Sequence, residues 1–384
     1  MHVTSVGYSW HFFALGAKLL TLGSATAGGL HVYASHPELQ IGPLALLAAV
    51  PLTHLDPWHG RVAAVLILSA SGPLLLAALV RIREWSGRIR DPLLLATGLL
   101  VLPVWTEVAA HYAHLDDALA LAAIAAATGA VRRGSAVTTG VLLAVATDSK
   151  PWTLACCALL LALPADRRGR GIAAFAAGVA LAWIPFLLAD PHTLNLGHFT
   201  IPNVPASALN ALGVHDPSTP FWDRGAQLVL GVAVSALAIR RGRWPAVLLA
   251  VVCARLLLDP ETYKYYTSGL VVAAALVDLY VPRRGFPMWT SAAALFYIVE
   301  DVLGSVLPAH LLGVLRAGYC LVVLGALALP GPQAGVTDAP LYSSGRHRRG
   351  RPEQPRRSAG LWRPEPGAPN PRDVIAFDAA GYKP

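Results

Sequence analysis

The sequence predicts an all-α polytopic membrane protein of about 11 transmembrane helices. Three observations carry that reading. Residues of the set AVILMFWYC make up 55% of the 384-residue chain and charged residues only 14%, against about 25% charged in an average soluble domain. Mean hydropathy is +0.53. The apolar residues fall in runs separated by charged or Pro/Gly-rich breaks, and a run of roughly 20 crosses a bilayer. So little polar surface cannot coat a water-soluble globule. The formal net charge of +8 therefore reads as a topology signal, and no nucleic-acid partner is expected. Cys156, Cys157, Cys253 and Cys320 lie in apolar runs without CxxC spacing, so no disulfide framework or cysteine metal site is expected. The N-terminus shows neither a basic leader region nor a cleavage signature.

Apolar runs place spans near 62–80, 92–109, 117–131, 136–149, 152–165, 171–189, 225–239, 244–258, 265–281, 287–307 and 310–329. Alternate breaks carry Arg81/Arg83/Arg88/Arg90, Arg132/Arg133, Arg167/Arg168/Arg170, Arg240/Arg241/Arg243 and Arg283/Arg284. The opposite breaks hold only Lys18, Arg61, Lys150, Arg224 and Lys264. Positive charge is retained on the cytoplasmic side, so the arginine-rich breaks are expected there. Residues 1–61, 110–117, 148–151, 190–224 and 259–264 are then extracytoplasmic.

Within the outer segment 1–61, residues 10–22 read as an amphipathic interfacial helix. Residues 41–55 are short and contain Pro43 and Pro51, which suits a re-entrant or interfacial element. The alternative for 41–55 is a twelfth span with a cytoplasmic N-terminus. Residues 62–330 form the transmembrane bundle. Residues 331–384, rich in Pro, Gly, Ser and Arg, read as a disordered basic cytoplasmic tail.

Three polar clusters on the expected outer side are candidates for chemistry. In Thr147–Trp152 (TDSKPW), Lys150 supplies a cation and Pro151 opens the next helix. A helix N-terminus beside a cation binds phosphate, so Asp148, Lys150 and Trp152 are candidate substrate- and phosphate-binding residues. An ordinary turn with a snorkelling lysine fits the same residues. In His111–Leu121, Asp116 and Asp117 open a helix, where carboxylates are favourable as caps. They are also candidate general bases, and His111 and His114 are candidate ligands for a divalent metal. Asp56 is a further candidate base. In Arg255–Gly269, Arg255 and Asp259 can pair four apart. Alternatively Arg255 and Lys264 face a lipid phosphate, with Tyr263, Tyr265 and Tyr266 as interfacial anchors. Glu300 and Asp301 are expected to face protein or a cavity. GxGxxG, P-loop, HExxH and GxSxG motifs are absent, and no Ser/His/Asp arrangement is evident from spacing.

The pattern WHFF…GAKLL…GGLHVYASHPELQIGPLALLAAVPL (Trp10–Leu52), followed by DSKPW, an apolar run and DRRGRG, resembles glycosyltransferase family 87 of the GT-C superfamily. Those are polyprenyl-phosphate-mannose-dependent α-mannosyltransferases of actinobacteria, and the similarity extends over about residues 8–330. The resemblance implies a GT-C-like bundle with interfacial helices in its first outer loop. It also implies transfer of a sugar, mannose in that family, from a polyprenyl-phosphate donor to a lipid or glycan acceptor, with inversion. The superfamily usually carries an acid near the start of this loop, and here Ser9 precedes Trp10. The base is therefore expected at Asp116 or Asp117, with His11 of the WHFF pattern among the substrate contacts. No cofactor is required beyond the divalent metal considered above. The rival classes are a transporter or flippase of lipid-linked sugars and a catalytically inactive relative.

Overall fold

The computed structural model describes residues 6–21, 27–82, 92–280 and 286–330. The expected tail, and the breaks holding Arg83, Arg88, Arg90, Arg283 and Arg284, lie outside those residues. The described chain is helical, with one isolated antiparallel bridge between Pro202 and Ser218. In chain order the helices are α1 (Trp10–Thr21), α2 (Val32–Ser35), α3 (Pro43–Thr53), α4 (Pro57–Ile82), α5 (Pro92–Thr106), α6 (Leu115–Arg132), α7 (Ala136–Ser149) and α8 (Ala165–Ala189). They continue as α9 (Ala208–Ala211), α10 (Asp223–Arg240), α11 (Val247–Leu258), α12 (Lys264–Tyr280), α13 (Met288–Leu303) and α14 (Ala309–Ala328). A π turn (Glu107–Tyr112) extends α5, and 3-10 helices run over Pro151–Ala162 and Pro191–His198.

Among the described residues, four helices are long and apolar enough to cross a membrane: Pro57–Ala78, Pro92–Tyr112, Ala165–Ala189 and Ala309–Ala328. Their outward faces are consistent with that setting: on α8, Leu181 is 80% exposed and Leu188 81% exposed, as suits a helix facing hydrocarbon. By contrast α6, α11 and α12 are buried along nearly their whole lengths. A helix apolar all round belongs in an interior, and these three form the centre of the bundle.

Several boundaries differ from the sequence reading. The basic residues Arg167, Arg168 and Arg170 lie within the first turns of α8 rather than in a loop. The helix over 57–61 belongs to α4, so the outer segment ends earlier than residue 61. The expected span at 152–165 is a 3-10 helix of 12 residues. Residues three apart eclipse in that geometry, and accordingly Thr153, Cys156 and Leu159 form a buried edge while Pro151 and Leu154 are exposed. The run at 41–55 contains the 11-residue α3, about 16 Å long at 1.5 Å per residue, well short of a core roughly 30 Å thick. Helix α1 buries Trp10, Phe13 and Ala17 against α3, while Phe12 and Leu15 are exposed. The exposed face also carries His11, Lys18 and Thr21, so it mixes polar and apolar side chains.

Two close approaches bring the ends of helices to the site. A β-carbon on Gly42, the residue capping α3, would lie 2.0 Å from the carbonyl oxygen of Asp148, and its N–H donates to Ser149 O at 3.0 Å. This seats α3 on the last turn of α7. Farther along α7, a β-carbon on Gly140 would lie 2.2 Å from Gly171 O on α8. Small residues permit such backbone contact between membrane helices. Gly140→Val is expected to separate α7 from α8 and to cost about 1–3 kcal/mol, read as a lower thermal midpoint in detergent micelles, with Gly169→Val as a surface control.

Candidate functional site

The C-terminus of the π turn positions the first residues of the site. Ala113 adopts a left-handed conformation (φ 52°), a strained choice for alanine that turns the chain sharply into α6. The carbonyls left unpaired at a helix C-terminus need partners. The N-terminal segment supplies them: the N–H groups of Gly7, Tyr8 and Ser9 donate to the carbonyls of Ala110, His111 and Tyr112 at 2.8, 2.9 and 2.8 Å. This pairing carries Ser9 to His114, 105 residues away. The Ser9 hydroxyl lies 3.1 Å from His114 Nε2, and His114 Nδ1 lies 3.1 Å from Asp116 Oδ1. A carboxylate only accepts, so Nδ1 bears a proton, and in the neutral imidazole Nε2 is the acceptor for the Ser9 hydroxyl. Tyr265 stacks on the imidazole at 3.8 Å and Phe13 meets it edge-on at 6.0 Å, which fixes its plane.

Lys150 enters the same cluster from the end of α7. Its Nζ lies 2.5 Å from Asp116 Oδ2 and 3.2 Å from Asp117 Oδ2. Asp116 is fully buried and Lys150 nearly so. Burial opposes both charges, but the partners prevail. Lys150, with His114, holds Asp116 well below the usual carboxylate range, and the two carboxylates raise Lys150 above its usual value. His114, Asp116 and Asp117 can present ligand atoms within 4.8 Å of one another, a donor set that suits a divalent cation in kind. The Lys150 ammonium takes the position such a cation would occupy, so these residues do not fit a metal as they stand. His111 is not part of the group.

A cavity of about 770 Å³ opens beside this cluster. Ser9, His114, Asp116 and Lys150 line one side; Arg255, Asp223, Asp259 and Gln227 line another, with Trp152, Tyr263, Tyr265 and Tyr266 between them. Arg255 makes the i, i+4 pair with Asp259 that the sequence allows and also lines the cavity. Its Nε donates to Asp259 Oδ2 at 3.2 Å, and its guanidinium lies 3.9 Å over Tyr266 and 5.0 Å from the Trp152 ring. Among the described residues the bond to Asp259 is its only hydrogen bond, leaving both Nη groups as donors for an anion. The buried Trp152 Nε1 has no partner among the described residues either.

Asp223 opens α10 and is 1% exposed. Its Oδ2 accepts from Gln227 Nε2 at 2.8 Å while Oδ1 is unpartnered among the described residues. Burial, and then the nearby Asp259 charge, push its carboxyl up to about 7. The sequence reading missed Asp223, although an acid one residue past an aromatic pair and opening an apolar run was a visible helix-start signal. Arg224, on the same turn, is committed to Gln40 Oε1 and to the carbonyls of Leu196 and Phe199, and it ties the 190–224 segment to the bundle.

Five expected site residues lie elsewhere. Asp56 caps α4 by accepting the N–H groups of Trp58 and His59, and it pairs with the His59 ring. Its role is to satisfy a helix terminus. His11 is exposed and donates to Tyr8 O at 2.8 Å. Lys264 pairs with Asp301 at an exposed edge. Glu300, by contrast, is taken up inside by Arg316 at 2.6 Å and Thr267 at 2.8 Å. Asp148, on the last turn of α7, is buried away from the cavity beside Tyr33 and Trp183, whereas Lys150 follows the helix in an extended conformation that turns its side chain elsewhere. His111 meets the Tyr112 ring and does not line the cavity.

Lys150→Met leaves two buried carboxylates facing each other, and breaking a buried pair costs about 3–5 kcal/mol. The variant is expected to unfold at markedly lower temperature in detergent, and adding Asp116→Asn with Asp117→Asn is expected to restore most of the loss. Compared with protein-family models, with curated proteins and with solved structures, the chain matches none, so the reading of the site rests on its own geometry.

Proposed function

We propose that the protein transfers a sugar, mannose by the resemblance described above, from a polyprenyl-phosphate donor to a lipid or glycan acceptor. The reaction takes place at the outer face of the cytoplasmic membrane. The supporting observation is a cavity of about 770 Å³ that combines an arginine with unused Nη donors, an aromatic wall and buried carboxylates. Its volume falls in the range of small-molecule sites, roughly 300–1,000 Å³. Tyrosine and tryptophan faces suit the C–H faces of a pyranose, and carboxylates and amides suit its hydroxyls. Part of the wall is apolar, supplied by Leu154, Ala155, Leu228 and Val251, which suits a prenyl chain entering between the long 3-10 helix and α10.

The leaving group in such a transfer is a lipid phosphate, a stable anion. The protein then needs chiefly positive charge and positioning. Arg255, with both Nη groups free of other hydrogen bonds among the described residues, is the donor to the phosphate. Lys150 contributes a more distant positive charge that is already balanced by Asp116 and Asp117. About eleven spans in a GT-C-like arrangement, with residues 331–384 in the cytoplasm, belong to this same reading. Supporting enzyme over transporter, the residues that line the cavity include none from the arginine clusters at 132–133, 167–170 and 240–243.

Membranes containing the protein, given radiolabelled polyprenyl-phosphate mannose, are expected to transfer label to lipid or glycan. Label no higher than in control membranes overturns the proposal. Arg255→Lys keeps the charge but loses the planar fork, and it is expected to raise the donor KM by about tenfold or more. The donor is a phosphodiester with one fixed negative charge, so its binding reports on the protein's titration alone. Below pH 7 Asp223 is neutral; as pH rises through about 7 it adds a negative charge to the cavity. Donor binding is therefore expected to weaken between pH 6 and pH 8, and Asp223→Asn is expected to flatten that dependence.

A further inference from the structure

The four-residue chain Ser9–His114–Asp116–Lys150 has a feature that salt bridging alone does not require. Its first three members are hydrogen-bonded through the two opposite nitrogens of one imidazole, each at 3.1 Å. All three are buried, at 5%, 8% and 0% exposure, and all three line the cavity. The imidazole is clamped between Tyr265 and Phe13, and the serine is held by its backbone N–H on Tyr112 O. Hydroxyl, imidazole and carboxylate held in that order are the arrangement that makes a serine oxygen reactive.

The charge around the chain supports the same role. Lys150 carries one positive charge and lies against two carboxylates, Asp116 and Asp117. Asp117 Oδ2 lies 3.3 Å from His114 Nδ1, so two carboxylate oxygens face that side of the ring, with Asp116 Oδ1 at 3.1 Å, while the Arg255 guanidinium acts on Asp117 from farther away. The other groups facing the imidazole are the rings of Tyr112, Tyr265 and Phe13, none of which carries opposing positive charge.

We propose that Ser9 is the catalytic hydroxyl of the cavity, activated by His114 and Asp116, and that it takes the proton of the acceptor in the transfer reaction. The assignment of the acceptor rests on the function proposed above; the activation of Ser9 does not. In the step, the Ser9 proton passes to His114 Nε2 while the acceptor's hydroxyl proton passes to Ser9 Oγ. The acceptor oxygen bonds to the anomeric carbon, the carbon–oxygen bond to phosphate breaks, and its electron pair leaves with the lipid phosphate. His114 returns the proton to water when the product departs. Asp116, expected from the sequence to be the base, instead orients the imidazole.

The test uses the full chain in detergent or nanodiscs and a fluorophosphonate probe, which reacts with activated serine hydroxyls irrespective of any sugar substrate. Ser9 is expected to be the labelled residue by peptide mass spectrometry, with labelling lost in Ser9→Ala and reduced about 100-fold in His114→Gln. Thermal midpoints of both variants establish that they are folded. As a second measure, the Ser9→Cys thiol is expected to react with iodoacetamide at pH 7 faster than the same thiol paired with His114→Gln. Unlabelled Ser9 in folded protein, together with equal alkylation in the two cysteine variants, overturns the proposal. Mannose transfer that proceeds at wild-type rate in Ser9→Ala overturns it too, and leaves the transferase reading standing. Labelled Ser9 in a protein that transfers no sugar supports the activated hydroxyl and defeats the transferase reading instead.

Discussion

A single ammonium group organises the centre of this protein. Lys150 sits between Asp116 and Asp117, in direct contact with both, and the imidazole of His114 and the more distant Arg255 guanidinium add to the charge around them. The energetics of buried charge make that arrangement all-or-none: three charges together are tolerable, two are not. The neighbouring structure serves the same end. Gly42 seats α3 on the last turn of α7, immediately before Lys150. The left-handed turn at Ala113 swings Asp116 and Asp117 inward instead of letting α5 run on.

The cavity then acquires two chemically different walls. On one, charge is internally balanced and the reactive group is a neutral hydroxyl backed by an imidazole. On the other, Arg255 shares its charge with Asp259 by one bond and spreads the remainder over two aromatic faces. A weakly hydrated guanidinium stacked in that way can meet an anion without first shedding a water shell. Asp223, with a carboxyl near neutrality, sits on this second wall and modulates its net charge.

The clusters at 147–152, 111–117 and 255–269 were legible as separate stretches of sequence, and the fold brings one part of each into a single cavity: Lys150 and Trp152, His114 and Asp116, Arg255 and the tyrosines. What residue type could not reveal was direction. Asp148 and Lys150 are two apart in sequence, but the helix ends between them, and only Lys150 reaches the cavity. Asp56 looked like a spare acid, yet an Asp-Pro-Trp-His start already spells a capped helix. The contact between Ser9 and His114 was beyond reach for another reason. It depends on backbone pairing between residues 7–9 and 110–112, and backbone groups are the same in every residue, so no side-chain pattern announces it.

The 12-residue 3-10 helix has a consequence for how depth is measured in such a chain. At about 2.0 Å per residue it reaches roughly 24 Å, where the same residues wound as an α-helix would reach roughly 18 Å. Counting apolar residues therefore uses the wrong ruler here. A segment of only 12 residues travels as deep as an α-helix of about 16 residues, and it does so on a thinner rod. The slimness matters as much as the length: for the function proposed above, a narrower rod beside α10 is what leaves room for the prenyl chain without any helix having to move aside.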